Sequence, residues 1–151
     1  MKNLFGSVFS TALLIVVATA CNFNYTSANI SELKFGKNDR AEPSTKSFNT
    51  GEDIYAVAVI SNAKGKFKLT WRMSYENVPG KGKGEEIGTN SREFEDSSRL
   101  WQTFSTPLTG EYKVEATLQD DKGKTIETRA DTVMVTRKSS DKRSDDDDED
   151  N

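Results

Sequence analysis

Phe67, Leu69, Trp71, Met73 and Tyr75 alternate with Lys68, Thr70, Arg72 and Ser74. A period of two sends successive side chains to opposite faces of an extended backbone, so this tract reads as a strand with one apolar and one polar face. Tyr112, Val114, Ala116 and Leu118 repeat the pattern against Lys113, Glu115, Thr117 and Gln119. Ile54-Tyr55-Ala56-Val57-Ala58-Val59-Ile60 is apolar throughout, as expected of a strand covered on both faces or nearly so. Turn-forming clusters separate these runs: Asn49 to Asp53, Asn62 to Gly65, Pro79 to Gly84, Pro107 to Gly110 and Asp120 to Gly123. The last joins two strand patterns directly and predicts a hairpin with Gly123 at positive φ.

Together these signals predict strands near 30–36, 53–61, 66–76, 85–91, 98–105, 110–119 and 124–136, with no amphipathic helix. About seven short antiparallel strands at such spacing predict an all-β sandwich. The first twenty residues do not belong to it. A short cationic start (Met1-Lys2-Asn3), an apolar stretch to Val17 and small residues at Ala18 and Ala20 have the form of an export signal. Gly6, Ser7, Ser10 and Thr11 break the run well short of the roughly 20 apolar residues that a spanning helix needs. The organisation expected is therefore a signal peptide over 1–20, a polar tether over 21–28, a sandwich over 29–136 and a tail over 137–151.

Cys21 is the sole cysteine and the chain has no histidine. One thiol forms no intrachain disulfide and no thiolate metal site. Lack of imidazole removes the usual general base near neutral pH, the usual zinc ligand and any Ser-His or Cys-His nucleophile pair. The expectation is a non-enzyme with no catalytic residue, metal or cofactor, and with no nucleic-acid partner.

Ala18-Thr19-Ala20-Cys21, behind the apolar run, resembles a bacterial lipobox, with Ala18 at the place usually held by Leu. The resemblance implies that the Cys21 thiol receives a diacylglycerol, becomes the mature N-terminus and holds the protein on a membrane. Asn22 is not the Asp of an inner-membrane retention signal, so the outer membrane is expected where the host has one. Two sequons, Asn24-Tyr25-Thr26 and Asn29-Ile30-Ser31, matter only in a eukaryotic secretory pathway.

The order of anchors resembles the immunoglobulin-like fold. Trp71 falls on the third predicted strand, and Gly110-Glu111-Tyr112-Lys113-Val114 resembles a tyrosine corner, with Val114 at the place of an antibody domain's second cysteine. The resemblance implies Val57 or Val59, together with Val114, packed on Trp71 in place of a disulfide. The tract Phe48 to Val135 is also similar to Ig-like domains found in bacterial envelope proteins of unassigned function.

Charge supplies the remaining clue. Lys64, Lys66, Lys68, Arg72, Lys81 and Lys83 stand against a single Glu76 over twenty residues, a candidate site for a polyanion: an anionic glycan, a phospholipid headgroup or a cell-wall polymer. Trp101 and Tyr75 form a carbohydrate platform if both are exposed. The tail ends in six consecutive acids, Asp145 to Asp150, without the Gly turn and spaced ligands of an EF-hand; it cannot fold alone. The function expected is a membrane-anchored envelope lipoprotein acting as a binding or structural module, with an envelope protein as a second class of partner. The alternative is a soluble secreted ligand-binding or inhibitor-like module of the same fold.

Overall fold

The computed structural model describes residues 27–138. The expected signal peptide, Cys21 with most of the expected tether, and the expected tail beyond Lys138 lie outside them. Every regular element is a strand: β1 (Asn29–Gly36), β2 (Ser47–Asn49), β3 (Ile54–Ser61), β4 (Lys66–Asn77), β5 (Glu86–Glu95), β6 (Arg99–Phe104), β7 (Gly110–Asp120) and β8 (Thr125–Thr136). No helix among the described residues is long and apolar enough to cross a membrane. The strands form a three-stranded sheet, β1-β3-β6, and a five-stranded sheet, β2-β8-β7-β4-β5, in a β-sandwich-like arrangement.

About seven strands were expected and eight are present among the described residues. The additional one, β2, is three residues pairing parallel with the end of β8, Phe48 opposite Val135. Three residues cannot display a period, and only pairing with β8 defines them as a strand. The β7–β8 hairpin matches its expected chemistry, with Gly123 at φ 78° and the Asp120 Oδ1 accepting hydrogen bonds from the backbone N–H groups of Lys122 and Lys124.

The core lies between the sheets. From β4 it takes Phe67, Leu69, Trp71 and Met73, and from β7 Tyr112, Val114, Ala116 and Leu118, the alternating sets read from the sequence. The central strand β3 corrects one expectation. Its inward face is Ile54, Ala56, Ala58 and Ile60, so Val57 and Val59 do not pack on Trp71; Val57 is fully buried on the outer face of the three-stranded sheet, opposite Trp101 of β6. A continuous apolar run carries no alternation from which to read its face. Volume decides it: alanines at the inner positions leave room for large side chains from the facing sheet, as interdigitating layers require.

Side chains close both lateral openings of the sandwich. On one side Glu127 of β8 accepts a hydrogen bond from the Ile30 backbone N–H (2.7 Å), and Arg129 donates to the Ser31 carbonyl. On the other, Asn90 of β5 donates to Gln102 of β6 (2.7 Å), and the Arg92 guanidinium lies 5.2 Å from the Trp101 ring centre. Charged and amide side chains on the inward positions of edge strands hinder pairing with a foreign strand.

Candidate functional site

The strands run between two poles about 40 Å apart, from twelve residues of β4 at ~3.3 Å each. The chain enters at one pole, where the Ser27 hydroxyl donates to the Asn62 carbonyl. This entry pole carries the β3–β4 turn, the β5–β6 turn and the β7–β8 hairpin. The opposite pole carries the β2–β3, β4–β5 and β6–β7 loops and the end of β8.

The six cations singled out in the sequence do not gather at one place. Lys64, Lys66 and Lys68 belong to the entry pole, whereas Lys81 and Lys83 lie in the β4–β5 loop at the opposite one. From Lys66 to Ser74 alone the strand extends about 27 Å. Several of the six are also occupied. Arg72 bonds Glu115 (3.0 Å), Glu86 (3.2 Å) and the Gly84 carbonyl (2.9 Å). Lys83 pairs with Glu76, whose hydrogen bond and charge hold the ammonium pKa above its ordinary value. Lys81 sits 5.5 Å from the Tyr75 ring centre, and Lys66 faces Glu95 at 4.0 Å. Arg72 therefore works as a clasp joining β4, β5 and β7, because cross-strand neighbours on one face meet opposite charges.

At the entry pole, Phe67 and Phe94 stack with centroids 5.8 Å apart, flooring an open cleft of about 440 Å³ lined by Lys66, Lys68, Glu93, Glu95, Asp120 and Asp121. Its mixed signs suit a polar or zwitterionic contact better than a polyanion. Lys122 and Lys124 stand beside it, exposed and without a carboxylate in ion-pair range among the described residues. The sequence offered these two only as parts of a turn; pairing of β7 with β4 brings them to the same pole as Lys64. The proposed aromatic platform is also split. Trp101 is 38% exposed on the outer face of the three-stranded sheet, whereas Tyr75 packs against Tyr112 in the other sheet. No three carboxylates among the described residues converge where a metal ion could sit.

Glu52, at the opposite pole, is the carboxylate with the largest departure from its ordinary behaviour. A hydrogen bond from the Asn49 backbone N–H (2.7 Å), then the Lys37 ammonium (3.0 Å), hold its pKa down at about 2. The lowered value means that Glu52 stabilises the fold above its unfolded pKa of 4.5, and that this contribution fades as pH falls through 4.5 toward 2. The side chain is 32% exposed, so screening reduces the contribution to about 1 kcal/mol. Urea midpoints of the wild type and Glu52→Gln should differ at pH 6, draw together as pH falls below 4.5 and converge only near pH 2; a gap unchanged with pH would assign the loss to packing instead. Asp131 is raised by burial, but hydrogen bonds from Lys46 and the Thr132 backbone outweigh this and leave its pKa lowered.

No family model matches the chain, and no curated protein matches it. Among solved structures it is similar to the PmoD soluble domain from Methylocystis sp. ATCC 49242, at 15% identity and a TM-score of 0.45, over 76% of this chain and 94% of that one. It is also similar to Spo0M, a sporulation control protein from Bacillus subtilis, at 18% identity and a TM-score of 0.39, over 60% of this chain and 45% of that one.

Proposed function

We propose that this chain is an exported cell-envelope lipoprotein, anchored through an acylated Cys21, whose immunoglobulin-like β-sandwich acts as a non-catalytic binding or structural module. The observation that carries the reading is the position of the sole thiol, directly behind an apolar run closed by small residues and six positions ahead of Ser27. Such spacing suits a lipid anchor with a short tether. Two acyl chains supply the two signals that stable anchoring requires, each buried methylene contributing about 0.8 kcal/mol.

Three observations support the immunoglobulin-like assignment. In that fold's lettering β1, β3 and β6 stand as A, B and E, and β4, β7 and β8 as C, F and G, in opposite sheets. The strand β5 pairs with β4, a C′-like strand in place of D. Trp71 of the C-like strand is buried, and Tyr112, third in the F-like strand, donates from its hydroxyl to the Leu108 carbonyl four residues upstream (2.7 Å) and meets the Thr106 hydroxyl at 2.8 Å. Burial raises the Tyr112 phenol pKa, so it stays a neutral donor. In such a module, function resides in loops and faces where a partner docks. An envelope protein is the partner class the reading carries.

Intact mass of the native protein from the membrane fraction, beside a Cys21→Ala variant, tests it. The expected result is a species beginning at Cys21 with added acyl mass, absent in the variant. An unmodified species in the soluble fraction would replace the anchored reading with a secreted binding module.

A further inference from the structure

We infer that the entry pole of the sandwich is its membrane-facing surface, resting on phospholipid headgroups through Lys64, Lys122 and Lys124. The inference rests on the lipid-anchored reading and adds an orientation and a contact surface to it. Ser27 lies six positions after Cys21, a reach of at most about 20 Å when fully extended. Ser27 is fixed beside the β3–β4 turn by its bond to Asn62, and Asn62 in turn donates to Asn29. The opposite pole is about 40 Å further along β4. A tether of that length therefore brings the entry pole, and not the opposite one, within reach of the headgroups.

The chemistry of this pole fits a phosphate-bearing surface. Three of its carboxylates, Asp96, Asp120 and Glu95, are engaged within the fold. Asp96 accepts from the Gly65 backbone N–H (3.0 Å), and Asp120 from those of Lys122 and Lys124 (3.0 and 2.8 Å). Glu95 faces Lys66, and Glu93 lies opposite Lys68 in the β4–β5 register. Glu93 and Asp121 are left against the exposed ammonium groups of Lys64, Lys68, Lys122 and Lys124, none of which has an ion-pair partner among the described residues. Long lysine stems let their charged heads reach headgroup phosphates while the loops stay above the bilayer. The chain leaves β8 at Thr136, at the membrane-distal pole, so the acidic run Asp145 to Asp150 follows from the end remote from an anionic surface.

The test couples the chain from Cys21 to Asn151, which retains every described residue, through its single thiol to a maleimide lipid. The vesicles are phosphatidylcholine with 30% phosphatidylglycerol, and amide hydrogen exchange is followed by mass spectrometry. Exchange across residues 62–65 and 121–124 should slow roughly fivefold or more relative to the uncoupled chain, with residues 78–85 unchanged. The slowing should disappear in the triple variant Lys64→Glu, Lys122→Glu, Lys124→Glu. A Lys→Gln triple at the same exposed positions serves if the first does not fold. Equal slowing at 78–85, or none at either pole, would overturn the orientation. Slowing that persists in the triple variant would overturn the headgroup contact. Because coupling is chemical, these outcomes are independent of whether cells acylate Cys21, which the intact mass reads separately.

Discussion

Trp71→Ala is expected to lower unfolding stability by about 3–5 kcal/mol, the range for removing a buried indole. Trp71 is almost completely buried at the centre of β4, flanked in the sheet by Ala116 of β7 and Asn90 of β5. The loss combines the transfer energy of the indole with a cavity that strands hydrogen-bonded on both sides cannot collapse to fill. A small domain is commonly stable by only 5–15 kcal/mol, so the variant should unfold at a much lower urea concentration or fail to fold at 37 °C. Urea denaturation followed by far-ultraviolet circular dichroism measures this directly. A shift below about 1 kcal/mol would mean that Trp71 is not part of the packed core. Trp101→Ala provides the contrast: Trp101 lies opposite Val57 in the β3–β6 register but is 38% exposed, and the cost should be smaller.

Gly110→Ala should be comparably damaging through the backbone. Gly110 begins β7 at φ 143°, a conformation that L side chains rarely adopt. A Cβ there would lie 2.6 Å from the Asn77 carbonyl oxygen and 2.7 Å from a Val78 methyl. Strain of about 1–3 kcal/mol combines with a clash against backbone that can retreat only by disturbing the end of β4. We expect a loss of at least about 3 kcal/mol and displacement of Tyr112, two residues on, from its hydrogen bond to Leu108. Gly123→Ala is the control: its φ is also positive, at 78°, but nothing lies within 4 Å of the added Cβ. It should cost about 1 kcal/mol. Equal thermal midpoints for the two variants would show that conformational strain alone, and not close approach, fixes Gly110.

The strongest patterns in the chain concern strands with one wet and one dry face. In β4 and β7 side-chain polarity reports the face occupied, and the structure places both alternating sets in the core except at the end of β4, where Ser74 is buried and Tyr75 only partly so. The hairpin at Asp120–Lys124 was equally legible, because an Asp that caps its own turn and a Gly at positive φ are local requirements. By contrast, β2 and the inner face of β3 depend on what lies across from them. The cation run shows the same division. Six positive residues close in sequence are parted by a strand that carries them toward opposite poles, while Lys122 and Lys124, distant in sequence, arrive at the pole that holds Lys64.

The sequence by itself determined that the domain is all-β, where most of its strands begin and end, which faces of β4 and β7 are buried, and that one thiol follows an export-like apolar run. These follow from period-two alternation and turn chemistry, which act over a few residues. Only the tertiary structure decided that alanines rather than valines of β3 line the core, that Arg72 is bound by carboxylates on two neighbouring strands, and that the chain enters beside the lysine-bearing hairpin. Each of these depends on strand pairing across 14 to 43 residues, as between Arg72 and Glu86 or Glu115, or on the volume of a facing layer. Local composition carries neither.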